Sequence, residues 1–98
     1  MAVGVYDIGD LVTCGATFAT VAGVSTDPDV VNFGMRSPDG TKTSYIYLTD
    51  AELIKDDTGD YHVDVTPLVS GTWFYEFTGV GTINATEEGK FFVRESRV

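Results

Sequence analysis

An all-β fold, two antiparallel sheets of about seven short strands packed face to face, is what this sequence predicts. Three observations lead there. Apolar and polar residues alternate with period two on five separate segments, the spacing at which successive side chains leave opposite faces of a strand. Turn-forming residues recur about every ten positions, the rhythm of a sandwich or barrel. Helical periodicity is nearly absent, and threonine, valine, glycine and aromatics stand in its place.

The elements follow in order. Leu11–Thr20 sets Val12, Cys14, Ala16 and Phe18 against Thr13, Gly15 and Thr17, a half-buried strand. Val21–Asp29 then closes on Asp27-Pro28-Asp29, a loop, because proline has no place in a central strand. Val30–Ser37 alternates again, with Val31, Phe33 and Met35 opposing Asn32, Gly34 and Arg36. Ser37-Pro38-Asp39-Gly40 has the residues of a type I turn and joins that strand to Lys42–Leu48. In Lys42–Leu48, Tyr45 and Tyr47 compete with Ile46 and Leu48 for the interior. Thr49–Lys55 is the one stretch that suits a helical turn, with Asp50 as its N-cap. Asp56-Asp57-Thr58-Gly59 is a turn with glycine in the left-handed position. Beyond it Tyr61, Val63 and Val65 face inward, then Trp73, Tyr75 and Phe77 in Thr72–Thr78, then Phe91 and Val93 in Lys90–Glu95. A glycine-rich bend, Gly79–Gly81, separates the last two of these strands and leads through Ile83–Glu88.

Ninety-eight residues correspond to a single domain, 1–98, with no repeat, linker or low-complexity tract. The 43% apolar content excludes disorder. Fifteen acidic residues against six basic ones give a net charge of −9, which disfavours nucleic acid as a partner. Three of the six basic residues, Lys90, Arg94 and Arg97, fall in the last nine positions, a local exception to the acidic background. No apolar run approaches a membrane span, and no basic-then-apolar leader opens the chain, so neither a membrane nor a secretory leader is expected. One cysteine cannot form an intramolecular disulfide, and folding in a reducing cytoplasm is the expectation.

Chemistry-bearing groups are sparse. Cys14 alternates inward with Val12, Ala16 and Phe18, the setting of a buried small hydrophobe and not of a reactive thiolate. His62 and Asp64 share one strand face, yet a metal site needs three or four ligands. Asp56, Asp57 and Asp60 surround Gly59 without the spacing of an EF-hand or its bidentate glutamate. Glu87-Glu88 reads as a charged turn, and the sequon Asn84-Ala85-Thr86 carries no meaning in a cytoplasmically made protein. The expectation is no catalysis, no cofactor and no intrinsic metal.

Surplus aromatics say more. With Trp73, Tyr75 and Phe77 inward, Phe74 points outward, and the same alternation turns Phe92 outward beside Lys90 and Arg94. Two arrangements satisfy this pattern. In one, Phe74 and Phe92 form an exposed apolar patch rimmed by Lys90, Arg94 and Arg97, the make-up of a partner interface. In the other, the N-terminal segment or the Gly79–Glu88 bend covers one of them.

Taken together, several segments resemble a known family. They are Tyr6-Asp7-Ile8-Gly9-Asp10, Asp27-Pro28, Ser37-Pro38-Asp39-Gly40, Thr58-Gly59-Asp60-Tyr61, Gly71-Thr72-Trp73-Phe74-Tyr75 and Gly89-Lys90-Phe91-Phe92-Val93-Arg94. Their order and spacing resemble the small Ig-like proteins encoded among the head and neck genes of tailed bacteriophages and prophages. The resemblance implies an Ig-like antiparallel β-sandwich and a structural role in the virion, foremost capsid decoration or cementing. Its partners would be capsid or neck proteins, and self-association is a further option. It departs from true immunoglobulin domains in having no cysteine pair and no tryptophan on the third strand. Three other readings stay open beside capsid decoration: a neck or tail component, a glycan-binding module using Tyr45, Tyr47 or the Gly79–Gly81 loop, and an accessory Ig-like domain with no partner of its own.

Overall fold

A computed structural model of the chain describes residues 5–95. Eight strands follow one another: β1 (Val5–Asp7), β2 (Val12–Thr17), β3 (Val30–Arg36), β4 (Lys42–Ile46), β5 (Leu53–Asp57), β6 (Asp60–Val65), β7 (Gly71–Val80) and β8 (Ala85–Arg94). They form two sheets, a five-stranded one in the order β1-β8-β7-β3-β4 and a three-stranded one in the order β2-β6-β5. The sets β2-β6-β5 and β8-β7-β3-β4 match the B-E-D and G-F-C-C′ sheets of an immunoglobulin-type sandwich.

The period-two pattern builds the core. Val12, Cys14 and Phe18 from the three-stranded side meet Val31, Phe33, Trp73, Phe77, Phe91 and Val93 from the five-stranded side, with Leu53, Tyr61 and Val63 completing the layer. Aromatic packing is dense there. Phe33 stacks on Tyr45 and Tyr75 and meets Phe77 edge-on at 4.9 Å, while Trp73 stacks on Phe91. The indole N–H of Trp73 donates to the Val69 carbonyl at 2.9 Å, so the largest ring buries no unpaired donor. Cys14 lies on strand B, which in antibody domains carries half of the inter-sheet disulfide. Strand F, the home of the other half, presents Trp73, Tyr75 and Phe77 instead.

Sequence expectation and structure part in three places. The expected sandwich of about seven strands is present, with eight strands in all. The additional one, β1, pairs in parallel with β8, so the sandwich is not purely antiparallel. Three residues are too few to show alternation, and β1 exists because its backbone completes the edge of β8. Thr49–Lys55 is not a helical turn. Asp50 accepts from the Ile46 N–H at 2.8 Å and returns its own N–H to the Ile46 carbonyl, closing a tight turn that carries the chain from β4 across to β5. β5 then forms by pairing with β6, a long-range contact that overrides a weak local helical preference. Lastly, β7 and β8 run ten residues each, through the stretches assigned to the glycine bend, and the reversal is confined to residues 81–84.

A loop knot holds the two sheet ends together. The carboxylate of Asp27 accepts from the Gly59 N–H at 2.7 Å, the Lys55 ammonium at 2.6 Å and the Tyr61 hydroxyl at 3.2 Å. Pro28 beside it is buried against Gly79 of β7, and Asp29 accepts from the Thr82 hydroxyl in the β7–β8 turn. The Asp27-Pro28-Asp29 loop therefore ties the β5–β6 hairpin to the β7–β8 hairpin.

Candidate interaction surface

The outward face of the five-stranded sheet is built by the residues that alternate away from the core. Its registers place them in rows. Phe92 lies level with Thr72 on β7 and Val5 on β1. One step along, Lys90, Phe74, Arg36 and Lys42 form a row across β8, β7, β3 and β4. One step further come Glu88, Glu76, Gly34 and Ser44.

Phe74 and Phe92 are thus diagonal neighbours on adjacent strands, 44% and 46% exposed, and Val5 beside Phe92 is 40% exposed. No covering segment hides them among the described residues. The guanidinium of Arg36 sits over the Phe74 ring, 5.4 Å from its centroid. Gly34 has no side chain, and a shallow, open groove of about 470 Å³ runs over it, bordered by Arg36, Lys42, Phe74, Glu76 and Glu88.

Of the residues singled out from the sequence, Phe74, Phe92, Lys90 and Arg94 lie together on this face, and Arg97 lies outside the described residues. Arg94 is committed within the chain. Its Nε donates to the Asp7 carboxylate at 2.6 Å, pinning β1 to β8, and that bond holds the guanidinium pKa above its ordinary value. Val5, Arg36, Lys42, Glu76 and Glu88 were missed as members of the surface. The alternation in β3 already turned Arg36 outward. That β3 is the neighbour of β7, which brings Arg36 onto Phe74, has no local signal.

Charge is distributed unevenly over the molecule. The outward face of the larger sheet carries four cations, Arg36, Lys42, Lys90 and Arg94, against three carboxylates, Asp7, Glu76 and Glu88. The remaining described residues carry one cation, Lys55, against twelve carboxylates. Glu76 and Glu88 stand directly opposite each other on β7 and β8, a like-charge pair that costs stability in the isolated sheet.

The other candidates disperse. His62 lies between Asp56, 2.5 Å from Nδ1, and Asp64, 3.6 Å from Nε2, on the outer face of the smaller sheet. Asp57 accepts from the Thr58 N–H, Asp60 from the Thr17 hydroxyl and Asp64 from the Thr13 hydroxyl. Among the described residues no three metal-ligating side chains converge. Cys14 is fully buried, and desolvation followed by the nearby charge of Asp64 pushes its thiol up to about 12. Glu87 and Glu88 point to opposite faces of β8. The Asn84 side chain accepts from the Gly81 N–H within the hairpin turn. Tyr45 and Tyr47 are half-buried and turn inward, Tyr45 stacked on Phe33 and Tyr47 edge-on to Tyr61 at 5.2 Å.

Neither protein-family profiles, nor curated proteins, nor solved structures gave a match to this chain.

Proposed function

We propose that this chain is a non-enzymatic structural protein of a bacteriophage virion that decorates the capsid shell and is held by protein–protein contacts through the outward face of its five-stranded sheet. One observation carries the reading of a contact surface: two phenylalanines and a valine stand exposed side by side among the few basic residues of an otherwise acidic domain. An isolated exposed apolar residue is ordinary. A contiguous aromatic patch rimmed by charge on a rigid sheet has the anatomy of an interface, with an apolar centre and a polar rim. The virion setting comes from the resemblance of the turn and strand segments to the phage head and neck family.

The test is attachment to particles produced by the phage or prophage that encodes the chain. Mass spectrometry of washed particles should find the protein in many copies per particle. Phe92→Asp should melt normally in isolation, because the ring is half-exposed, yet be lost from the shell. Lys90→Glu should weaken attachment more at low salt than at high salt. Lys90 is the appropriate charge to reverse, since Arg94 is occupied by Asp7. Washed particles that carry no copies of the protein would sink the proposal.

A further inference from the structure

We infer that the free edge of β2 accepts an extended segment of another polypeptide, one with lysine or arginine at alternate positions, as a further strand of the smaller sheet. This edge lies apart from the face assigned to the capsid shell, so the two readings stand or fall separately.

The backbone defines the edge. The Phe18 N–H donates to the Gly59 carbonyl at 2.8 Å, in register with the β2–β6 ladder. Alternate residues of an antiparallel strand bond to alternate sides. Val12, Cys14 and Ala16 therefore bond to β6, while Thr13, Gly15 and Thr17 aim their N–H and C=O groups the other way. Among the described residues no strand pairs with that side.

The other edges are guarded, each by a device that sheets use against stray pairing. On β4 the Asp50 carboxylate holds the Ile46 N–H, the N–H groups of Thr49 and Asp50 hold its carbonyl, and Lys42 stands at the far end. β5 carries Lys55, Asp56 and Asp57, with a register shift between Lys55 and Asp57. β1 has three residues, and the part of β8 beyond it carries Glu87, Glu88 and Lys90. β2 has none of these devices. Val12–Thr17 holds no charge and no proline, and its register is unbroken.

Gly15, at the centre of this edge, is the second sign. Its φ lies outside the left-handed region, and an added methyl would meet nothing closer than the Tyr61 carbonyl oxygen at 3.6 Å, an ordinary contact. Neither the backbone conformation nor the packing within the chain calls for glycine there. A bare position in the middle of a strand suits the close approach of another backbone.

Charge selects the occupant. Asp64 and Asp60 stand on β6 level with Thr13 and Thr17 and accept from their hydroxyls. A shallow, open depression of about 540 Å³ over Gly15 and Ala16 is bordered by Asp56, Asp60 and Glu87. An added strand lies two strand spacings, about 10 Å, from β6. A lysine or arginine side chain spans most of that distance over Gly15 to approach the carboxylates. The intervening positions turn toward the half-buried Ala16 and take small or apolar residues. Main-chain bonds then supply affinity and the alternate side chains specificity. A second copy is the wrong occupant, because its own β2 edge brings the same carboxylates on a chain of the same −9 charge.

The probe is a capped synthetic peptide of alternating lysine and valine, matched to β2 in length. It is titrated into the purified full-length chain and followed by amide chemical shifts. We expect saturable binding, with the largest shifts at Thr13, Gly15 and Thr17 and slowed amide exchange at the same three residues. The same peptide with its backbone amides N-methylated keeps its charge and cannot donate to the ladder, so it should bind at least about tenfold more weakly. Gly15→Lys, which guards the edge with a charge, should weaken binding on the order of tenfold or more. Ala51→Lys adds the same charge on an exposed turn beside the opposite edge of the smaller sheet and should leave binding unchanged. Absence of binding overturns the inference. So do equal affinities for the two peptides, or equal losses in the two variants, since either leaves only the attraction of net charges.

Discussion

Gly59→Ala should cost far more than its chemistry suggests, and the structure allows the cost to be divided. Gly59 sits in the β5–β6 turn at φ 76°, and Gly40 sits in the β3–β4 turn at φ 91°. Both are left-handed, so alanine at either position meets the same intrinsic penalty of about 1–2 kcal/mol, partly offset by about 0.4–1 kcal/mol from the stiffer unfolded chain. At Gly40 an added methyl meets nothing within 4 Å, and the net loss should stay near ~1 kcal/mol. At Gly59 the methyl would lie deep inside the Phe18 carbonyl oxygen and 3.1 Å from the Thr26 nitrogen, both backbone atoms that cannot rotate away. Relief requires the turn to lift off, which breaks the bond from the Phe18 N–H to the Gly59 carbonyl (2.8 Å) and strains those from Thr26 to Phe18 and from Gly59 to Asp27. At about 1 kcal/mol for each bond lost, and more where a buried group is left unpaired, the total reaches roughly 3–5 kcal/mol. That is a large share of the ~5–15 kcal/mol available to a domain of this size. Urea denaturation of both variants, followed by the fluorescence of the single tryptophan, Trp73, measures the difference directly. Equal losses at Gly40 and Gly59, within about 0.5 kcal/mol, would refute the steric reasoning.

Three further outcomes follow from the same packing. The hydrogen bond from Lys55, and after it that from the Gly59 N–H, hold the Asp27 carboxyl below its ordinary 3.8, so its contribution is present above that value and is lost as pH falls through the lower folded-state pKa. Urea midpoints taken from pH 7 down to pH 2 should therefore fall less steeply for Asp27→Asn than for the native chain, and identical slopes would count against the loop knot. Leu48 is the one non-glycine described residue with positive φ, at 73°, and its side chain is 87% exposed, so Leu48→Gly should raise stability by up to about 1 kcal/mol in a thermal melt. Cys14, buried and with its thiol at about 12, should resist a thiol-specific reagent at neutral pH until denaturant is added, and stoichiometric labelling of the native protein within minutes would contradict its placement.

Local periodicity determined much of this molecule before any coordinate. Period two makes each strand two-faced, and burial of one face is the dominant favourable term, so Val12, Cys14, Phe33, Trp73, Phe77 and Val93 could go to the core and Phe74 and Phe92 had to leave it. Turn chemistry is likewise local: the turn at Ser37–Gly40 and the left-handed glycine at position 59 follow from the residues around them. Tertiary structure decided what depends on partners far along the chain. β1 and β5 exist through hydrogen bonds to β8 and β6, and a segment's own composition cannot reveal a ladder it has yet to join. Tyr45 and Tyr47 were ambiguous because apolar residues fall on both faces of Lys42–Leu48, and the stack of Tyr45 on Phe33 and the edge contact of Tyr47 with Tyr61 settled the choice. The interaction surface is the clearest case. Its two phenylalanines could be read from alternation. The rows that set Arg36 over Phe74 and Glu76 opposite Glu88 come from β3, β7 and β8 lying side by side, and that order is a property of the assembled sheet.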